Sequence, residues 1–215
     1  AWAMIAVLLA GASPAAAVTD GWPDDGTYSM VGLMVAMDAS GAPMWRCSGT
    51  LLSSKVFLTA GHCTSGASSV ELWFDADVES GIPDNGYPYD GPYSGTAHTH
   101  PNYVDSAFYL WDVGVVVLKK PVQLDAYGYL PEVDELDVWD GGGAQDRAWM
   151  TAVGYGLQAS FPDDASWKNV AQRVRMVSTP KLIQINTGLT GDFSLLLSNN
   201  ANTGGTCFGD SGGPN

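Results

Sequence analysis

Three short segments carry residue types that can do chemistry: LTAGHC ending at Cys63, DVGVVVL starting at Asp112, and TCFGDSGGP from Thr206 to Pro214. They hold His62, Asp112 and Ser211, in that chain order. A serine hydroxyl is a weak nucleophile at neutral pH and needs an adjacent base to take its proton during attack. An imidazole titrates in the right range for that task. A carboxylate opening a run as apolar as VGVVVL is costly to bury unless it is hydrogen-bonded, so Asp112 calls for a partner. The glycines around Ser211 let backbone N–H groups be approached closely, as is needed where negative charge develops on an oxygen. Each feature alone is ordinary, since a lone His or Asp is more often structural and GDSGG is also a turn sequence. All three together, with Cys63 directly after His62 and Cys207 four residues before Ser211, form one strong signal.

The combination resembles the trypsin/chymotrypsin family of serine proteases. The order His, Asp, Ser matches that family and differs from subtilisin and the α/β-hydrolases. The resemblance implies that Ser211 is the nucleophile, that His62 is the base, and that Asp112 orients the imidazole and stabilises its cation. It implies an oxyanion hole from the backbone N–H groups of Gly209 and Ser211, a protein or peptide substrate, and no metal or organic cofactor. Gly205, six residues before Ser211, stands where the family has the base of its primary pocket. Trypsin places Asp there to hold a cationic side chain, so glycine implies a preference for apolar or aromatic residues. Val18-Thr19-Asp20-Gly21 resembles the family's Ile-Val-type start, whose freed amino group pairs with the acid just before the nucleophile. Here that acid is Asp210.

Further stretches carry the resemblance over most of the chain: CSGTLLSS leading into LTAGHC, TAVGYG, and HPNY from His100 to Tyr103. They make His98 and His100 strand or loop residues instead of rival bases. Asp105 is a weaker rival to Asp112 because no apolar strand follows it. Family members continue past the nucleophile motif through more strands and a final helix, so more chain is expected beyond Asn215, including a mate for Cys207. An esterase would use the same chemistry, and a non-catalytic binding protein on this scaffold would usually lack a triad member.

The elements that must position these residues read as strands. From Val31 onward, strand-sized runs rich in Val and aromatics (VGLMVAM, GTLLSS, KVFLTA, VELWF, FYLWDVGVVVL, WMTAVGYG, RVRMVSTPKLIQI, SLLLS) alternate with Gly, Pro, Asn, Asp and Ser. That pattern predicts an all-β protein. The resemblance sharpens it to two antiparallel six-stranded β-barrels of the chymotrypsin type, 18–125 and 126–215, the second incomplete. A polar stretch from Gln123 to Asp146 separates the two groups of strands. DVGVVVL, apolar nearly throughout, is expected to be buried on both faces. The segment from Phe74 to Gly95, with Asp75, Asp77, Glu79, Asp84 and Asp90, reads as a long solvated loop without EF-hand spacing for calcium. Gly141-Gly142-Gly143 lacks the strand-to-helix context of a phosphate cradle.

Residues 1–17, AWAMIAVLLAGASPAAA, combine an apolar run with an A-x-A pattern at Ala15-Ala16-Ala17 and read as a signal peptide. The run is shorter than the roughly 20 residues that span a bilayer, so export without a membrane anchor is expected. The sequence opens on Ala1 without a basic leader, so its natural start is expected to lie upstream. Export to an oxidising compartment allows Cys47 and Cys63 to form a disulfide and leaves Cys207 over. Nine Lys and Arg against 23 Asp and Glu give a net charge of −14, which repels nucleic acid. Charged residues at 15%, with 26 glycines and eight tryptophans among 215 residues, suit a turn-rich secreted β protein and argue against disorder. A secreted, extracellular monomer is expected.

Overall fold

The structure is a computed structural model that describes residues 18–140, 148–191 and 194–215. The expected signal peptide and the Gly141-Gly142-Gly143 run lie outside the described residues. Strands run in chain order as β1 (Trp22–Pro23), β2 (Val31–Met37), β3 (Pro43–Leu51), β4 (Val56–Thr59), β5 (Ser69–Trp73), β6 (Tyr93–Thr99) and β7 (Gly114–Leu118). There follow β8 (Ala152–Gly154), β9 (Met176–Ser178), β10 (Leu182–Ile185) and β11 (Leu195–Leu197). A single α-helical turn, α1 (Gly61–Thr64), follows β4 among the described residues. The protein is therefore mostly β with few helices.

Six strands close a barrel in the order β2-β3-β4-β7-β6-β5, all pairs antiparallel, with β2 joined back to β5 through Leu33↔Trp73 to Met37↔Ser69. The strand VGLMVAM shows why the barrel is also a foundation. Successive side chains on a strand point to opposite faces. Met34 and Ala36 face the barrel interior with Leu51, Phe57, Leu72, Val116 and Leu118. Val31, Leu33, Val35 and Met37 face outward yet are equally buried, against Trp73, Val78, Val153, Tyr155 and Val177. Both faces of one strand thus carry core, and the outer face receives the second half of the chain. That half contributes β8 and β9, which the N-terminal strand β1 joins in a three-stranded sheet of order β1-β9-β8, and a two-stranded ribbon, β10-β11.

Three expectations are corrected. Only Gly114–Leu118 of FYLWDVGVVVL is strand, and Asp112 stands two residues ahead of it. Nor is it buried on both faces: Val116 and Leu118 point inward while Val117 is 44% exposed, because a barrel strand has one inner face. The stretch read as loop up to Gly95 runs into β6, whose sequence YSGTAHT has little apolar pattern. Backbone pairing with β5 and β7 holds it in place. RVRMVSTPKLIQI breaks into β9 and β10 around Pro180, which has no N–H to give to a ladder.

One buried ion pair ties the N-terminal segment to both halves. Arg175 Nε donates to Asp24 Oδ2 at 2.7 Å, with the two side chains 2% and 1% exposed. The other end of the guanidinium, Nη1, reaches the carbonyls of Val31 and Phe74 and the hydroxyl of Tyr155. Nε and Nη1 are thus both paired, and a buried cation is tolerated where its charge and donors are met in this way. Arg175→Met, which strands the Asp24 carboxylate, is expected to lower unfolding free energy by about 3–5 kcal/mol in urea titrations. Replacing both partners with apolar residues should recover much of that loss.

Candidate active site

His62 sits on α1, where the chain turns sharply after β4. Gly61 eases the turn: a Cβ there would lie 3.0 Å from the Val113 nitrogen and 3.2 Å from Asp112 Oδ1, so glycine lets the Asp112 loop close against α1 without either giving way. Two hydrogen bonds then join His62 to Asp112. The His62 backbone N–H donates to Oδ1 at 2.7 Å, and ring Nδ1 lies 2.8 Å from Oδ2. A carboxylate can only accept, so Nδ1 carries the hydrogen in the neutral ring and Nε2 is left with a free lone pair. The His62 side chain is 38% exposed, so that lone pair is reachable.

Neighbouring elements lock this turn. The Cys47–Cys63 disulfide spans a separation of 16 residues and fastens α1 to β3. Trp45 Nε1 donates to the Cys63 carbonyl at 3.0 Å, and the hydroxyls of Thr64 and Thr99 meet at 2.8 Å, pinning α1 to β6. On the Asp112 side, Trp111 holds a φ of 56°, an uncommon conformation for a bulky residue, and its ring stacks on His100 at 5.0 Å. His100 thus packs beside the acid's loop, and His98 lies on β6 opposite Val115. Asp105 belongs to a separate turn, Asp105–Ala107. It is Asp112, not Asp105, that meets His62.

The segment from Cys207 to Gly213 is held by its carbonyls. Those of Cys207, Phe208, Asp210 and Ser211 accept from the N–H groups of Asp210, Leu157, Gly213 and Ser48 at 3.0, 2.8, 2.8 and 2.9 Å. Because N–H points opposite to C=O across a trans peptide, the Phe208 and Asp210 bonds turn the N–H groups of Gly209 and Ser211 the other way. Among the described residues neither finds a protein acceptor. Gly209 at φ 97° and Gly212 at φ 79° supply the left-handed turns that this path needs. The segment lies close to the helical turn: the Ser211 carbonyl is 3.7 Å from Cys63 Sγ.

Asp210 is 4% exposed and anchors the segment from beneath. Its Oδ1 accepts from Gly156 N–H at 2.7 Å and its Oδ2 from Cys207 N–H at 2.9 Å. The backbone N–H of Val18 is a further donor, and Val18 itself is fully buried with Ala152 and Met176. Burial pushes the Asp210 carboxyl up to about 6, opposed by these N–H donors and by the charge of Arg46. Gly205 is buried, its N–H donating to the Thr19 carbonyl at 3.1 Å, with Asn199 packed where a Cβ would go. Cys207 is a free, half-buried thiol.

Sequence reasoning gave no role to Ser48, Tyr155 or Gly156, whose contacts run to residues more than 50 positions away, as Gly156 to Asp210 does with a separation of 54. Among the described residues, the one group of His, Cys, Asp or Glu close enough to hold a metal is Cys47, His62 and Cys63. Both of its sulfurs are spent in the disulfide. No helix among the described residues is long and apolar enough to cross a membrane.

The barrel agrees with comparisons to known proteins. The Trypsin family model matches residues 25–215, and the chain belongs to the trypsin family of serine proteases. Brachyurin from Leptuca pugilator is 30% identical over 176 residues, covering 80% of this chain and 70% of that protein. A solved structure described as HL collagenase superposes with a TM-score of 0.64 at 21% identity, covering 90% of this chain and 78% of that one, and so shares its fold.

A pH dependence follows from Asp210. Its folded-state pKa lies above the unfolded value of 3.8, so the folded chain keeps a proton that the unfolded chain releases. In the chain with Val18 still joined to Ala17, stability should fall by about 3 kcal/mol as pH rises from about 4 to about 6, at 1.36 kcal/mol per unit. Urea midpoints measured across that range should show the slope, and Asp210→Asn should flatten it.

Proposed function

We propose that this protein is a secreted serine endopeptidase that works through an acyl-enzyme, with Ser211 as nucleophile, His62 as base and Asp112 as its orienting acid. The observation that carries this reading is the double hydrogen bond from His62 to Asp112, which leaves Nε2 as a reachable acceptor. Ser211 Oγ bonds to the scissile carbonyl carbon while its proton passes to Nε2. The carbonyl oxygen becomes an oxyanion, met by the N–H groups of Gly209 and Ser211. Collapse of this intermediate breaks the C–N bond, and His62 returns the proton to the leaving amine. Water then attacks the acyl-enzyme carbonyl, giving its proton to His62, and collapse of this second intermediate breaks the bond to Ser211 Oγ as His62 returns the proton to that oxygen.

Family membership supports a protein or peptide substrate. Residues 18–125 are assigned to the first barrel, apart from the segment through β1 that joins β9, and 126–215 to the second, incomplete barrel. The protein acts as a monomer and uses no cofactor. Gly205 offers no carboxylate to a cationic side chain, so apolar and aromatic residues are preferred before the scissile bond. Cleavage after Ala17 converts the Val18 amide into an ammonium facing Asp210, which orders the Gly209–Ser211 segment.

Active-site labelling tests this. The secreted full-length protein, treated with peptide phosphonates ending in Phe or in Arg, should gain one adduct on Ser211 by intact and peptide mass analysis. Labelling should be absent in Ser211→Ala and slower by about 10⁴-fold in His62→Ala. The Phe reagent should react faster. Adducts elsewhere, or an undiminished rate in His62→Ala, would sink the mechanism, and faster reaction with Arg would sink the specificity.

A further inference from the structure

We propose that Ser48 is a positioning residue for acyl transfer, its buried hydroxyl fixing the Gly209–Asp210 peptide that links the two peptides bearing the oxyanion donors. The proposal rests on the assignment of the Gly209 and Ser211 N–H groups as those donors. Ser48 lies on β3, fully buried. Strand β4 pairs with β3 only at Thr50↔Leu58 and Leu51↔Phe57, so the β3 edge beyond these pairs is left open. The Ser211 segment takes that edge: Ser48 N–H donates to the Ser211 carbonyl at 2.9 Å, while the Ser48 carbonyl accepts from Thr59 Oγ1 at 2.8 Å.

The side chain does a separate job. Ser48 Oγ donates its one hydrogen to the Gly209 carbonyl at 3.0 Å and accepts from the Tyr155 N–H at 2.9 Å. The next amide along, Gly156 N–H, is the one that holds Asp210 Oδ1. Two successive amides at the end of β8 therefore grip the segment at two points, one directly through Asp210 and one through the Ser48 hydroxyl. The fit is close on every side. A Cβ on Gly154 would lie 3.0 Å from Ser48 Oγ, and one on Gly213 would lie 3.2 Å from Ser48 Cβ.

Gly209 is where this matters. It sits at φ 97° and, lacking a side chain, has no steric preference to keep it there. Its orientation is set by what binds on either side: Leu157 N–H on the Phe208 carbonyl, and the Ser48 hydroxyl on its own carbonyl. Removing the hydroxyl frees one side, taking the Gly209 carbonyl's partner and leaving the Tyr155 N–H buried without one. The cheapest relief is rotation of the Gly209–Asp210 peptide, which joins the two peptides bearing the Gly209 and Ser211 N–H groups, so their convergence on the place where the oxyanion forms is lost.

The test compares wild type with Ser48→Ala and Ser48→Cys in the secreted full-length protein, reading kcat and KM on a peptide substrate. Affinities are measured for a peptide boronate, which mimics the tetrahedral oxyanion, and for the corresponding product peptide, which does not. In Ser48→Ala, kcat should fall about tenfold, less than for loss of an oxyanion donor itself. KM and product affinity should stay within about twofold, with the boronate weakened in step with kcat. Ser48→Cys keeps a side chain of the same shape, slightly larger and with only a weak S–H donor, so a loss of the same kind is expected, and it decides the matter if the alanine variant fails to fold. Unchanged kcat in a folded variant, or equal weakening of product and boronate, would overturn the proposal. A wild type that neither hydrolyses peptides nor labels at Ser211 overturns the functional reading and the role of Ser48 with it.

Discussion

Asp210 is a carboxylate taken almost wholly out of water and held by backbone N–H groups of Gly156, Cys207 and Val18. These donors come from three separated parts of the chain: the end of β8, the segment before Ser211, and the N-terminus of the described residues. Burying a charge this way is costly unless each lone pair is met. The requirement works in reverse as a constraint, since the carboxylate can be satisfied only when all three parts are in place. The edge of the Gly209–Ser211 segment, whose Gly209 and Ser211 N–H groups find no acceptor among the described residues, is the outcome.

The rest of the fold brings those parts to one place. Strand VGLMVAM packs the barrel interior with one face and the second half of the chain with the other, so β8 and β9 are seated on the outside of the same barrel that carries His62. Arg175 on the approach to β9 then clamps Asp24, which fixes the chain six residues after Val18. His62 and Asp112 need no such long-range assembly. Both belong to the first barrel, and their contact depends on Gly61, on the Cys47–Cys63 disulfide and on the tight turn at Trp111.

Much of this was legible in the sequence, for physical reasons that differ from place to place. The runs VGLMVAM and VELWF are strongly apolar over strand length, and both fold as strands. YSGTAHT is a strand because its neighbours' backbones pair with it, and no pattern in its own seven residues says so. DVGVVVL looked buried on both faces because hydropathy cannot distinguish an outward Val115 or Val117 covered in part by neighbours from a true core residue. The pairing of His62 with Asp112 agreed with motif order. The part played by Ser48 could not be read, since a serine in a strand becomes a bridge only when Tyr155 and Gly209, over 100 positions away, arrive on either side of it.

The coupling between the buried carboxylate and the site above it is open to one direct measurement. Two forms of the full-length protein would be prepared, one with a free amino group on Val18 and one with that amino group acetylated, and the rate of phosphonate labelling at Ser211 compared. An ammonium facing Asp210 completes its pairing, whereas an acetylated nitrogen leaves the carboxylate short of a counter-charge. The free form should label faster by on the order of a hundredfold, as expected for loss of one partner of a buried pair. Equal rates in the two forms would contradict the account.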